Sequence, residues 1–270
     1  MLLAMISAVA GGLFGFLLTG KPFMQSNLSS EEADFFNDSA VDGGQFLQLN
    51  QPVNILVMGM SVLPPDTKNA TEESKNLGYL PQVNAFDGLS DVILLIRFDP
   101  RNNQVNMLSI PRDTRTEIEG YGLRKINAAN RLGGAPLSAK TVSNLLENID
   151  IHGYVRINVL GVGKLVDALG GVTVNVPKDL KYQDDSQHLY INLKAGEQHL
   201  DGDKALQFLR FRNDGRGDIG RIERQQLLMQ ALIQQALNPA TLARSPIILG
   251  TIKDNIDTNL TLDSLLTLVN

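Results

Sequence analysis

The sequence predicts an α/β domain, a three-layer α-β-α sandwich around a mixed central sheet. Short apolar runs of strand length alternate with segments whose apolar residues recur at helical spacing. Two of the apolar runs are joined by a five-residue turn, so at least one strand pair is antiparallel. The chain has 270 residues, 43% hydrophobic and 20% charged, enough for one large domain or two small ones, and general disorder is excluded.

Leu2 to Thr19 is an uncharged, mostly apolar stretch. Its length suits a membrane-spanning helix better than a signal h-region. Residues 1–20 therefore read as a transmembrane or signal-anchor segment. Residues 21–50 are rich in Ser, Asn, Asp and Gly and read as a flexible tether. The folded domain is expected over 51–270.

Within it, Asn54–Met60 is a short apolar run, expected as a buried strand. Leu63–Leu89 is a long polar segment, of the kind that borders a site or stays unordered. Asp91–Phe98 is a second buried strand. Asp99-Pro100-Arg101-Asn102-Asn103 is a turn by composition, and Gln104–Ile110 returns as a strand to close a hairpin. Pro136–Asn148 carries a helical apolar face. Tyr154–Ile157 is a short strand, after which Asn158 can cap a helix striped by Val159, Val162, Leu165, Val166 and Leu169. Gly170-Gly171 ends that helix, and Val172–Val176 alternates as a strand. Ala205–Arg212 reads as a strand entered from a short helix. Asp218 can cap a long helix stopped by Asn238-Pro239. A weaker strand and a helix occupy Pro246–Val269. No internal repeat is visible.

Composition removes several functional classes. A net charge of −5 argues against nucleic acid as partner, because phosphate-backbone binding needs a basic footprint. With no Cys, disulfides, thiolate metal sites and thiol nucleophiles are excluded. His152, His188 and His199 lack the spacing of a zinc site.

The chemistry is carried by arginines and carboxylates at element ends. In a strand, Arg210 and Arg212 would share a face with roots roughly 7 Å apart. Two like charges at that separation repel by about 2 kcal/mol at an effective dielectric near 20. Water, a carboxylate or a bound anion must offset that repulsion. Arg221, Arg224 and Gln225 open the following helix, and Arg221 and Gln225 lie one turn apart on one face. They could line an anion site at the helix start, or Arg221 and Arg224 could pair with Asp218 and Glu223 on a wet surface. Arg112 and Asp113 follow a central strand, where α/β sheets commonly bind ligands, or form a turn ion pair. Hairpin pairing brings Asp91 near Arg112 as a metal ligand, a base, an orienting group or a plain strand-edge acid. Lys125 is a lone cation. Several guanidinia, one or two carboxylates and no Cys nucleophile or His triad suit phosphoryl or pyrophosphoryl transfer, which depends on alignment and charge stabilisation.

At these residues the chain resembles the LytR-CpsA-Psr family of membrane-anchored glycopolymer transferases. The matching segments are Asn54–Gly59 (NILVMG), Ser90–Asp91, Ser109–Thr114 (SIPRDT), Lys125–Ala128 (KINA) and Gly133–Gly134. Further on they are Leu165–Pro177 (LVDALGGVTVNVP), Gly196–Gly202 (GEQHLDG), Ala205–Arg212 and Gly217–Gln226 (GDIGRIERQQ). The resemblance implies an extracytoplasmic catalytic domain holding a polyprenyl-pyrophosphate lipid in an apolar groove. It implies transfer of a glycan-phosphate from that lipid to a hydroxyl of a cell-wall sugar. By position, Arg112, Arg210, Arg212, Arg221 and Gln225 match the family's pyrophosphate-binding residues, with Lys125 nearby. Asp91 matches a carboxylate linked to Mg²⁺ and catalysis. Two positions depart from the family pattern: Ser61 stands where an Asp is common, and Leu89 where an Arg is common. The first removes one of two metal-facing carboxylates, although hydrated Mg²⁺ can bind through one carboxylate plus phosphates.

Three readings differ in what they require. A phosphotransferase needs the arginines and Asp91. A polyprenyl-phosphate binding module or hydrolase with little transfer needs the arginines alone. A membrane-bound transcription regulator needs a DNA-reading element, which the acidic composition and the absence of a recognisable helix-turn-helix oppose.

Overall fold

In a computed structural model, the chain is described over residues 28, 35–36, 52–60, 86–99, 101–102, 104–185, 189–211, 213, 215, 218–236, 238–242 and 244–260. The apolar segment expected to enter a membrane and the loop over 63–85 lie outside the described residues. Among the described residues, no helix is long and apolar enough to cross a membrane.

The expected mixed sheet is present. It is built from β1 (Val53–Met60), β2 (Ser90–Asp99), β3 (Gln104–Ser109), β6 (Gly153–Ile157) and β11 (Ile256–Thr258), in the order β11-β6-β1-β2-β3. β1 runs parallel to β6 and antiparallel to β2, and β2 forms the expected antiparallel hairpin with β3. Asp99 closes the turn by accepting the Arg101 amide at Oδ1 and the Asn102 side chain at Oδ2.

Side-chain alternation divides the sheet into two faces. Leu56, Met58, Met60, Ile93, Leu95 and Tyr154 point to one face. They meet Ala135, Ala139 and Val142 of α1 (Ala128–Leu145) there. Val53, Ile55, Val57, Phe98 and Val155 line the other face with Leu260. α1 begins eight residues before the expected Pro136. It continues through Gly133 and Gly134 with a kink, because Gly134 takes φ 65 and ψ −156, a conformation other residues adopt only under strain.

A second core follows in the chain. α2 (Val159–Ala168) is capped as expected, with Asn158 Oδ1 accepting the Gly161 amide at 2.8 Å. Gly170 and Gly171 turn the chain at φ 84 and 90. β7 (Val172–Val176) pairs with β10 (Gly196–Leu200) rather than joining the main sheet. Two further hairpins are absent from the sequence-based reading: β4 (Arg115–Ile118) with β5 (Gly122–Lys125), and β8 (Leu180–Asp184) with β9 (Leu189–Leu193). α3 (Gly202–Arg210), α4 (Asp218–Ala236), α5 (Pro239–Leu242) and α6 (Ser245–Ile252) complete the fold, with β11 after a single 3-10 turn. Val166, Leu180, Ile191, Phe208, Leu228 and Ile248 belong to this second core.

The expected strand over Ala205–Arg212 is a helix through Arg210. Asp201 caps it by accepting the Lys204 amide at 2.9 Å, and Ala205, Leu206 and Phe208 are buried. Apolar residues at 205, 206, 208 and 209 match a helical face, and tertiary burial outweighs the four-residue alternation Leu-Arg-Phe-Arg. The folded body also reaches back into the stretch expected as tether. Phe36 is only 2% exposed and stacks on Tyr154 at 5.2 Å between ring centroids, with Leu28 and Phe35 alongside the same core.

Candidate functional site

The candidate site is built where β2 begins and β3 ends. β3 runs out at Ser109, and Ile110 still donates its amide to the Ile93 carbonyl at 2.9 Å. Pro111 then starts a turn closed by the Thr114 amide on the Pro111 carbonyl. That turn is stitched to the strand leading into α1: Ile126 donates to the Thr114 carbonyl at 2.8 Å and Asn127 to the Arg112 carbonyl at 3.3 Å. The Asn127 carbonyl in turn accepts the Ser90 amide at 3.3 Å. Arg112 is thus held in register with Ser90 and Asp91.

The side chains follow from this backbone. Arg112 Nη1 donates to Asp91 Oδ1 at 2.7 Å. Asp113 Oδ2 lies 3.8 Å from Arg112 Nε, and Asp113 Oδ1 accepts from Lys125 Nζ at 2.6 Å. The Lys125 hydrogen bond holds the Asp113 carboxyl below the ordinary carboxylate range, and the charges of Lys125, Arg112 and Arg221 act in the same direction.

Arg221 is buried at 5% exposure, and Gln225 is half-buried one turn later. Arg224 is buried at 1% exposure. It donates from Nη2 to the Phe211 carbonyl at 2.6 Å and lies 5.2 Å from the Phe211 ring centroid. A wet helix surface carrying Arg221 and Arg224 is thereby overturned: both arginines are inside. Arg210 is half-buried at the last position of α3, a helix where a strand was expected. Arg212 and Ser61 lie outside the described residues.

Sequence reasoning missed a buried polar network behind Asp91. Arg156, on β6, gives Nε to Asp257 Oδ2 at 2.7 Å, and its Nη2 lies 2.6 Å from the same oxygen. Its Nη1 donates to Asn130 Oδ1 and to the Phe86 carbonyl, each at 3.3 Å. The available signal was a charge inside an otherwise apolar strand. Its partner is 101 residues away and has no local signature.

The donor set for a metal is thin. Among the described residues, no group of three or more His, Cys, Asp or Glu could hold a metal ion. Asp91 Oδ1 is engaged by Arg112, which leaves Oδ2 as its ligand oxygen. One carboxylate oxygen fits Mg²⁺ only when phosphate oxygens and water complete the shell.

The family model described as the LytR_cpsA_psr family matches residues 21–270. The chain is 43% identical over 180 residues to the polyisoprenyl-teichoic acid–peptidoglycan teichoic acid transferase TagU of Bacillus cereus, covering 66% of this chain and 57% of that protein. The chain thus spans less than two thirds of that relative's length. Among solved structures, it is similar to TagV of B. subtilis, with TM-score 0.65 and 33% identity over 82% of this chain and 79% of that one. It is also similar to TagT solved bound to LIIa-WTA, with TM-score 0.62 and 26% identity over 82% of this chain and 74% of that one.

Proposed function

The chain belongs to the LytR-CpsA-Psr family, and from that premise we propose that it transfers a glycan-phosphate from a polyprenyl-pyrophosphate carrier to a sugar hydroxyl of cell-wall peptidoglycan. The observation that carries the reading is the Arg112–Asp91 pair beside the Lys125–Asp113 pair, charges brought together from separate parts of the chain. The transferase name of the B. cereus relative points the same way.

In this reading the acceptor oxygen attacks the phosphorus that carries the glycan. A new P–O bond forms, the bond to the bridging oxygen breaks, and polyprenyl phosphate leaves with that oxygen. The acceptor hydroxyl gives up its proton, which passes through water to the departing polyprenyl phosphate. The diphosphate lies among Arg112, Lys125, Arg210, Arg212, Arg221 and Gln225, whose donors neutralise its charge and hold it in line. Asp91 orients Arg112 and the acceptor. Asp91 is also the residue that would hold Mg²⁺ together with the phosphate oxygens. The metal would add charge neutralisation at the transferring phosphoryl group.

The partners in this proposal are a membrane lipid and the wall glycan. Residues 2–19 would anchor the chain, with the folded domain outside the cytoplasm. A topology reporter fused after Asn270 tests this placement, and a cytoplasmic signal would reject it.

Incubation of the protein with a polyprenyl-pyrophosphate-linked glycan and wall fragments tests the activity. Covalent transfer to the wall is the expected result. Retention of the lipid without turnover would establish a binding module instead, a reading that Ser61 at the position of an expected carboxylate favours. Release of free glycan phosphate would establish a hydrolase.

A further inference from the structure

We infer that Asn130 and Arg156 are positioning residues that set the geometry of Asp91 from behind; this rests on the role proposed for Asp91 above. The segment Phe86–Gly88 leads directly into β2, and Asp91 is the second residue of that strand. This lead-in carries no regular backbone ladder of its own. The Phe86 and Gly88 carbonyls are held by side chains instead. Asn130 Nδ2 donates to the Phe86 carbonyl at 2.7 Å and to the Gly88 carbonyl at 2.8 Å. Arg156 Nη1 adds a bond to the Phe86 carbonyl and another to Asn130 Oδ1. The guanidinium also lies 5.4 Å from the Phe86 ring centroid.

The arrangement determines which way the Asn130 amide points. Its oxygen faces a guanidinium, which can only donate, and its nitrogen faces two carbonyls, which can only accept. Arg156 is oriented in turn by Asp257 through Nε and Nη2. Asn130, Arg156 and Asp257 are 2%, 7% and 3% exposed, so water does not compete for these bonds. Asn130 lies in the first turn of α1, three residues after Asn127, whose backbone bonds both Ser90 and Arg112. One short stretch of helix thus fixes the approach to Asp91 and the turn carrying Arg112.

The network makes no contact of its own with the Asp91 carboxylate. Its effect is on where that carboxylate stands relative to Arg112, and misplacing a group in a transfer site costs rate more than affinity. Losing an outer hydrogen-bonding partner of a catalytic group lowers activity by about 10- to 100-fold.

The test uses the full chain and two variants, N130A and R156K. Arg156→Lys keeps a cation for Asp257 but loses the planar fork that reaches Asn130 and Phe86. For each, kcat and KM for transfer from a polyprenyl-pyrophosphate glycan are measured per folded molecule, with amide hydrogen exchange over residues 86–91 and over the β1–β2 ladder. The expected result is a fall in kcat of about 10- to 100-fold at unchanged donor KM. Exchange should accelerate at 86–91 and not in the ladder. Wild-type kcat, or a loss confined to KM, would overturn the inference, as would acceleration spread evenly through the fold. If N130A does not fold, R156K and N130S give the same readings. A wild-type protein that transfers nothing would reject the proposed function, while local exchange in the variants would still decide the positioning role.

Discussion

Arg112 and Asp91 meet at 2.7 Å across the open end of the β2–β3 hairpin, each about one quarter exposed. Neither side chain is deep enough to be a folding necessity, yet each fixes the other. A partly exposed pair of this kind contributes little to stability, about 1 kcal/mol or less. Arg112→Ala is expected to leave the unfolding midpoint nearly unchanged and to lower transfer by roughly 10³-fold or more, as for arginines that stabilise phosphoryl-transfer charge. Steady-state transfer kinetics beside a denaturation curve check this, and an active Arg112→Ala variant would remove the residue from the reaction.

Lys125 and Asp113 form an exposed pair, 65% and 51% accessible, whose contribution is charge rather than packing. Lys125→Ala should weaken binding of a polyprenyl-pyrophosphate donor with little change in unfolding free energy. The loss should shrink as salt rises, because screening acts most on exposed charges. Binding isotherms at low and high ionic strength decide it. A salt-independent loss would place Lys125 outside the anion site.

Arg224 is expected to behave in the opposite way. It is buried, and its Nη2 bond to the Phe211 carbonyl fixes the exit from α3 just after Arg210. Arg224→Met strips a charged hydrogen bond from a buried carbonyl, which costs about 1.5–3 kcal/mol. Urea denaturation should register that loss, and activity should fall through displacement of the 210–212 segment. A variant as stable as wild type would show that Phe211 is held by other contacts.

Phe36 gives a sharp test of where the domain begins. Fully packed on Tyr154, it should cost about 3–5 kcal/mol when replaced by Ala. A chain shortened to start at residue 51 should lose comparable stability. If the shortened chain unfolds with an unchanged midpoint, the segment around Phe36 is a tether after all.

His152 makes stability depend on pH. Its Nδ1 accepts the Asn54 amide at 3.1 Å, so the neutral ring fits and the protonated ring does not. Burial pushes the imidazole below its ordinary 6.5; Asp150 opposes the shift and Arg97 reinforces it. The folded state therefore binds fewer protons than the unfolded state just below pH 6.5. The contribution is complete above that value and is lost as pH falls through it toward the depressed folded value. The slope is at most about 1.4 kcal/mol per pH unit for one group. His152→Gln should flatten the unfolding free energy across that window, and a variant with the wild-type slope would assign the dependence elsewhere.

The parts legible in the sequence are those whose determinants are local. Apolar runs marked β1, β2 and β3, the Asp99–Asn103 composition marked their turn, and Asn158 with Gly170-Gly171 bracketed α2. Asp91 and Arg112 were brought together by hairpin pairing alone. What failed was local ambiguity resolved by burial. Four alternating residues before Arg212 looked like a strand, but Ala205, Leu206 and Phe208 had a core to enter only as a helix. The helix expected from Pro136 starts at Ala128 and passes through a kink at Gly133-Gly134.

The sequence by itself determined β1, β2 and β3 with their order, the caps of α2, and which strand ends carry charge. Backbone geometry and side-chain periodicity act over a few residues, so a pattern of that length suffices to specify them. Only the tertiary structure decided that Arg221 and Arg224 lie inside, and that Asn130, Arg156 and Asp257 join behind Asp91. Those partners are far apart in the chain. Their meeting depends on how helices and strands settle on shared apolar faces, and no short window of residues encodes that.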